Sequence, residues 1–410
     1  MGKMLVPTKD GDKLLKLSSY AVIFLLGVLS IIDMVDFAVP YVILAYGLLC
    51  PFLLVYLICH YIYTRHFKLS VFSVSFVAFW VVCIFSSIIG MSSIDRVGIL
   101  VFNMLQFWSI AVAMDSIVDD VDSVLTSYFV ILLGFSSIII ALSAFVFPND
   151  GRLAGITPNP NALGGLCSVA ACSCSWVVLK KIKKEPVFAG IAIACGLFAC
   201  YGVFLTQSRA ALYSVVIFYA ILVFLSFFIS FTDNRKLKVA FIVVLIVALI
   251  MVLGISALML EQRGGSVLGS NGRDELFESF SQAIRGKIWL GYGGNTPALV
   301  EAFGSTTHPN TVQYINIHMM HNILLQIWVD YGVFAVILFL VIVCGLGLAT
   351  FVRYIRGKSD FFSGVALALF AAVLARDMAE STILLYGGVE QFQFILVGAY
   401  LYVQQKRKIS

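Results

Sequence analysis

The chain has 410 residues, of which 61% are hydrophobic and only 12% are charged, and its formal net charge is +5. A soluble globular domain carries about twice that share of charged residues, so the composition excludes one and predicts an integral membrane protein. We expect a single membrane domain over residues 1–410, of the all-α polytopic class, because helices satisfy their own backbone groups in the bilayer.

Apolar segments of membrane-spanning length recur along the chain and predict about twelve transmembrane helices of about 20 residues each. The predicted spans are 17–33, 38–59, 69–90, 97–114, 124–147, 160–179, 186–206, 210–231, 239–258, 320–351, 361–375 and 386–403. Most are joined by short polar turns. The exception is a long polar loop, 259–319, between the ninth and tenth spans, in which we expect one or two amphipathic helices.

Basic residues are unevenly divided between the two sides that these alternating spans define. The side that holds both termini collects most of the 27 lysines and arginines, so the positive-inside rule makes it cytoplasmic. An acidic turn from Asp115 to Asp122 falls on the same side, but acidic residues carry little weight in this rule. The long loop is then extracytoplasmic, and we expect the chemistry of the protein on that face.

The outer side carries few basic residues, and almost all of them are arginine, whereas lysine predominates inside. They are Arg96, Arg152, Arg209, Arg263, Arg273, Arg285, Lys287 and Arg376. Topology alone does not explain a preference for guanidinium, but bidentate binding of phosphate does. The alternative is that these arginines pair with outer acids such as Asp150, Glu261, Asp274 and Glu380.

Arg209 lies at the outer boundary between two closely spaced apolar segments, in the sequence LTQSRAALYSVV. A charge at the middle of the bilayer costs about 2.5–3.5 kcal/mol, so some interaction must offset this position. Either the side chain reaches the interface as an anchor, or it faces a polar cavity and holds an anion. The neighbouring Gln207 and Ser208 favour the cavity.

Arg273 lies in the long loop, where the preceding Asn-Gly pair can turn the chain and the following acids suit the first turn of a helix. It is a candidate anion ligand. The alternative is an ion pair with Glu278 on the same helix, worth at most about 1 kcal/mol if exposed. Arg285 and Arg152, from the same outer set, are candidate substrate contacts.

The sequence GYGGN at 291–295 follows this helix. Its glycines permit backbone with positive φ close to a ligand, which makes Gly291 and Gly293 candidate substrate contacts. A plain loop is the simpler interpretation.

Two histidines, His318 and His321, lie where the long loop meets the tenth span. Imidazole is the side chain best suited to accept a proton near neutral pH, a role worth about 10² to 10⁴ in rate. Asn322, Gln326 and Asp330 follow at helical spacings and give the outer half of this span a partly polar face. We take His321 as a candidate base and His318 and Asn322 as candidate substrate contacts, with a satisfied interfacial histidine as the alternative.

Metal and disulfide sites are not expected. The nine cysteines all lie in apolar segments, which indicates packing. His308, His318 and His321 match no common zinc motif. We therefore predict a protein without a metal or another cofactor.

Two further outer segments have structural explanations. In ARDMAEST, an internal salt bridge accounts for Arg376, Asp377 and Glu380, although Arg376 stays a candidate substrate contact. In TPNPNALGG, Asn161 can cap the sixth span, with an outer pocket wall as the alternative.

The order of these motifs resembles the O-antigen ligase and O-antigen polymerase superfamily. The resemblance rests on SRAAL at the start of a helix, GR before a loop helix, the GYGGN turn, and HN followed by a glycine at His-x10-Gly, with NPN before the sixth span. It covers roughly residues 155–400. The family often has a proline before the glycine turn, where this chain has Ile288-Trp289-Leu290, so the shape of that turn is the point of departure.

The resemblance implies a metal-independent, inverting glycosyltransferase that faces the periplasm or cell exterior. The donor would be a glycan on undecaprenyl diphosphate, and the acceptor either lipid A core sugar, in a ligase of lipopolysaccharide biosynthesis, or a second lipid-linked glycan, in a polymerase. Arg209 and Arg273 would hold the diphosphate, His321 would act as the base, and Gly332 would let the tenth span pack closely. The resemblance also implies a bacterial inner-membrane location, with the active site outside.

Alternatives remain open at this point. A ligase is favoured slightly by the His-x10-Gly pattern, with an O-antigen, capsular or exopolysaccharide polymerase as the first alternative. A transporter or flippase for lipid-linked sugars would also need cationic residues in the bilayer, but it should show paired halves and charges near mid-membrane. A structural membrane subunit would leave the outer arginines unexplained.

Overall fold

The computed structural model describes residues 9–64, 71–147, 151–226, 273–303, 320–380 and 388–407, together with scattered helical positions between 239 and 254. These residues form helices and connecting turns, and no β-strand occurs among them. The helices are α1 (Lys9–Ile32), α2 (Val39–Thr64), α3 (Val71–Ile89), α4 (Ile94–Ser116), α5 (Val121–Ala141), α6 (Pro160–Lys181), α7 (Pro186–Thr206), α8 (Arg209–Ser226), α9 (Arg273–Ile284), α10 (Thr296–Phe303), α11 (Ile323–Ile355), α12 (Phe361–Glu380) and α13 (Gly388–Arg407).

Nine helices in the described part of the chain are long and apolar enough to cross a membrane. Helix α3 is also apolar, over the shorter stretch Val74–Ile89. The protein is therefore a multi-pass helical membrane protein, which confirms the predicted all-α class. The predicted ninth span, 239–258, and part of the loop 259–319 lie outside the described residues.

Helix α6 lies at the centre of the bundle. Of its apolar window 83% is buried, against 17% for the segment that contains α2. The buried indole of Trp176 packs with the rings of Phe129, Phe362 and Tyr400 at centroid distances of 5.9, 5.1 and 5.3 Å. Helices α5, α12 and α13 are thereby held around α6, while α2 exposes most of its apolar side chains to the surroundings.

Small residues let α7 pack closely on α6. A Cβ at Gly196 would lie 2.5 Å from the sulfur of Cys174, and one at Gly202 would lie 2.6 Å from the sulfur of Cys167. Close backbone approach through small residues is a common means of helix association in membranes. These cysteines therefore serve packing, as their apolar context indicated.

The bundle has two ends with different side chains. At the first, which we call the His321 end, the N-termini of α6, α8 and α11 meet the C-termini of α7 and α12. At the opposite end, Lys180 near the end of α6 pairs with Asp122 at the start of α5 (2.6 Å), and Arg353 of α11 donates to Gln405 O (2.9 Å). The residues of chemical interest gather at the His321 end.

Helix α11 is broken at Gly332, whose backbone angles (φ 81°, ψ 177°) are not helical. A break inside a membrane frees backbone groups that must find other partners. Residues 288–295, which we call the glycine turn, supply them. The hydrogen bonds run from Tyr292 N to Val329 O (2.7 Å), from Gly293 N to Asp330 O (2.6 Å) and from Val333 N to Ile288 O (2.9 Å).

The glycines of this turn are required because protein backbone lies against them. Gly291 and Gly293 both have positive φ, and a Cβ on them would lie 2.5 Å from Val329 O and 2.5 Å from Ser86 O, respectively. A Cβ on Gly332 would overlap the backbone of Trp289. Gly291 and Gly293 thus contact the protein itself, where the sequence suggested contact with a ligand.

Candidate functional site

His321 lies immediately before α11 and adopts a left-handed backbone conformation, with φ of 50°. The next residue, Asn322, caps the helix, since its side-chain oxygen accepts from Leu324 N (3.0 Å) and Leu325 N (3.2 Å). The amide nitrogen of Asn322 donates to Met378 O in α12 (3.2 Å). The Asn322 contacts described here are therefore within the protein, and they fix His321 beside the end of α12.

One partner of the His321 imidazole is Glu380, the last residue of α12. Nδ1 of His321 and Oε2 of Glu380 are 3.5 Å apart, and the two side chains are only 6% and 5% exposed. A buried carboxylate beside an imidazole favours one orientation of the ring. This pair joins α11 to α12 at the His321 end.

Asn161 connects Glu380 to Arg152. Its Nδ2 donates to Glu380 Oε1 (3.1 Å), and its Oδ1 accepts from Arg152 Nη2 (2.7 Å). The residue that caps α6 is Asn159, whose side chain accepts from Ala162 N (2.9 Å). The expectation that Asn161 caps the helix was therefore wrong, because the first turn of α6 leaves Asn161 pointing along the surface of α12.

Arg209 begins α8 after a tight turn from α7, in which Gln207 takes the left-handed conformation (φ 49°) and Ser208 is buried. Arg152 lies across this turn, because its Nε donates to Thr206 O (3.0 Å). Burial lowers the pKa of the Arg152 guanidinium; the Glu380 carboxylate opposes this change, and the charge of Arg209 adds to it. Arg152 and Arg209 are thus close enough to repel each other.

Arg376 lies one helical turn before Glu380 in α12 and is buried. It forms an ion pair with Glu390 of α13, and its Nη2 donates to Asn161 O (2.8 Å). The lack of a side chain at Gly165 leaves room for this pair. An internal salt bridge does account for Arg376, and the acid in the described ion pair is Glu390 of α13.

The remaining predicted site residues do not join this cluster among the described contacts. Arg285 is exposed after the end of α9. Arg273 is the first residue of α9, and its side chain lies outside the described part of the structure. His318 also lies outside the described residues.

Five side chains therefore form one connected site, which we call the His321 cluster: Arg152, Asn161, Arg209, His321 and Glu380. Sequence reasoning singled out the two arginines and the histidine but gave Glu380 only a structural role. The one signal for Glu380 was an acid at the end of an apolar span, where burial makes it costly without a partner. Two guanidinium groups can hold an anion there, and the imidazole can accept a proton beside it.

The fold and the cluster define a multi-pass helical membrane protein with a charged site at one end of its bundle. Residues 193–340, from α7 to the first part of α11, match a family model described as O-antigen ligase. The chain therefore carries a region that is similar to the O-antigen ligase family, and over these residues the resemblance stated from the sequence is confirmed. Curated proteins give no match to this chain.

Proposed function

We propose that this protein transfers a glycan from an undecaprenyl diphosphate carrier to an acceptor sugar, in the manner of an O-antigen ligase in lipopolysaccharide biosynthesis. The carrying observation is that Arg152, Arg209 and His321, which are far apart in sequence, meet at one end of the bundle. The region matched as O-antigen ligase contains both Arg209 and His321.

The cluster suits a reaction in which a diphosphate leaves. The acceptor hydroxyl oxygen attacks the anomeric carbon of the donor sugar, and the bond from that carbon to the diphosphate oxygen breaks with its electron pair on the diphosphate. Attack from the face opposite the leaving group inverts the anomeric configuration. No covalent intermediate and no metal ion is needed, because the leaving group is already activated.

Each residue then has one task. His321 takes the proton of the acceptor hydroxyl as its oxygen attacks. Arg209 and Arg152 bind the diphosphate and stabilise the charge that develops on it, and we assign Arg273 of α9 to the same task. The mutual repulsion of Arg152 and Arg209 is relieved when an anion lies between them, which favours binding of a diphosphate over a neutral sugar.

The site would face away from the cytoplasm. We propose an inner-membrane protein with both termini in the cytoplasm, because the opposite end of the bundle carries lysines such as Lys180, Lys181 and Lys184. Donor and acceptor would then reach the His321 end from the outer leaflet.

The test is glycan transfer in reconstituted vesicles, with undecaprenyl diphosphate-linked oligosaccharide as donor and either lipid A core or a second lipid-linked glycan as acceptor. Product on lipid A core identifies a ligase, and a ladder of lengthened lipid-linked chains identifies a polymerase of the same superfamily. Movement of labelled donor across the bilayer without either product would replace the enzyme by a transporter.

The same assay tests the base. We expect His321→Ala to lower the rate about 10²- to 10⁴-fold, because a general base contributes that much. The matched control is His60→Ala, since His60 lies in α2 and bonds to Ser116 at the opposite end of the bundle. Equal activity of the two variants would exclude His321 as the base.

A further inference from the structure

We propose that Glu380 is a positioning residue for two groups of the site. It orients the His321 imidazole directly, and it fixes the Arg152 guanidinium through Asn161. This inference rests on the proposed function. It assigns a role to a carboxylate that touches neither donor nor acceptor.

The two oxygens of Glu380 point to different partners. Oε2 lies 3.5 Å from His321 Nδ1, and Oε1 accepts a hydrogen bond from Asn161 Nδ2 at 3.1 Å. The side chain is 5% exposed, so water does not screen either contact strongly. One buried carboxylate therefore joins the start of α11 to the start of α6.

The contact with His321 decides which ring nitrogen is available for chemistry. A carboxylate beside Nδ1 favours the tautomer with the proton on Nδ1, which leaves the lone pair on Nε2 at the other edge of the ring. The left-handed backbone of His321 and the helix cap made by Asn322 fix the position of the imidazole relative to α11. Glu380 thus directs Nε2 to the edge of the ring opposite the carboxylate, and in the proposed mechanism this nitrogen takes the proton of the acceptor hydroxyl.

The contact with Asn161 determines which hydrogen bond Asn161 forms with the Arg152 guanidinium. Because the Asn161 amide donates through Nδ2 to the carboxylate, its Oδ1 must face Arg152, and it accepts from Nη2 at 2.7 Å. A neutral side chain at position 380 could donate as well as accept, so it would not fix the direction of this amide. The charge of Glu380 therefore sets the order of donors and acceptors from His321 to Arg152.

A neighbouring ion pair also joins α12 to α13. Arg376, one turn earlier, is held by Glu390 of α13 and by Asn161 O. Because these contacts do not involve the carboxylate of Glu380, we expect the Glu380 variants to keep the packing of α12 against α6 and α13.

The experiment measures kcat and the KM for donor in reconstituted vesicles for Glu380→Gln, Glu380→Asp and Asn161→Ala, with thermal unfolding in detergent as the folding control. We expect Glu380→Gln to lower kcat about 10- to 100-fold, because loss of a group that orients a catalytic histidine has effects of this size or larger. Glu380→Asp should recover most of that loss, since it keeps the charge. Asn161→Ala should raise the KM for donor about tenfold with a smaller change in kcat.

Two results would overturn the inference. One is a kcat for Glu380→Gln within twofold of wild type. The other is an equal loss of activity in Glu380→Gln and Glu380→Asp that is explained by a matching loss of folded protein. His321→Ala separates this inference from the proposed function. If His321→Ala is inactive while Glu380→Gln is fully active, the base stands and only the role of Glu380 is wrong. If His321→Ala is fully active, the proposed base itself is wrong.

Discussion

Arg96 and Arg152 belong to the same outer set of arginines, yet the structure gives them different surroundings. Arg96 Nη2 lies 2.8 Å from Asp330 Oδ2, and this carboxylate is fully buried and also accepts from Gln326 (3.1 Å). Arg152 donates to a backbone carbonyl and an amide, with a second arginine nearby. The first arrangement pairs a guanidinium directly with a buried carboxylate, while the described hydrogen bonds of Arg152 go to neutral oxygens.

This difference divides the outer arginines into two groups with different partners. The sequence offered two explanations, phosphate binding and pairing with acids, as alternatives for the whole set. Arg96 and Arg376 follow the second, with partners Asp330 and Glu390 that lie in the spans and were not among the acids suggested. We infer that Arg152 and Arg209 follow the first.

The first test of this difference between Arg96 and Arg152 concerns stability, where we expect the largest effect. We expect Arg96→Gln to lower the free energy of unfolding by about 3–5 kcal/mol, because it leaves the Asp330 charge buried without its cation. Arg152→Gln should have a much smaller effect on unfolding and should instead weaken donor binding. Thermal unfolding in detergent and the KM for donor distinguish the two variants, and equal loss of stability would remove the distinction between them.

The glycine turn, whose Gly294 lies against the Arg96 side chain, provides the next test. We expect Gly332→Ala to destabilise the protein by about 3 kcal/mol, because its backbone conformation is nearly restricted to glycine and an added Cβ meets the backbone of Trp289. Gly347→Ala, in the same helix, is the matched control, since nothing lies within 4 Å of a Cβ there. Similar unfolding temperatures for the two variants would show that the break in α11 does not need glycine.

A smaller effect concerns the binding of phosphate. We expect Arg209→Lys to lower the transfer rate about 10- to 100-fold, because lysine keeps the charge but cannot form a bidentate contact. Complete loss of such a donor usually costs about 10² to 10³ in rate. Arg356→Lys is the control, because Arg356 is exposed beyond the opposite end of α11. Comparable rates for both variants would argue against diphosphate binding by Arg209.

The smallest expected effect is that of a chelator. Because arginines supply the positive charge in the proposed mechanism, transfer should continue unchanged when divalent ions are removed from the vesicle assay. Activity that is lost with chelator and returns with added divalent ion would assign the diphosphate to a metal ion instead.

Several residues of the cluster were singled out from the sequence for separate reasons. A charge at the end of an apolar segment is costly, which drew attention to Arg209. Arg152 belonged to the outer set of arginines, and His321 was chosen for the chemistry of imidazole. These reasons could not identify Asn161 as the link between them, since an asparagine after a proline turn is equally suited to capping a helix, and Asn159 performs that task.

The class of the protein and most of its spans follow from the sequence by itself, because the thickness of the bilayer sets the length of each apolar segment and backbone hydrogen bonding requires helices. The partners were decided only by the tertiary structure. Glu380 meets His321, Glu390 meets Arg376, and the glycine turn meets the break at Gly332. These contacts depend on which faces of distant helices pack together, and the apolar pattern of a membrane helix, hydrophobic on nearly all sides, does not record its neighbours.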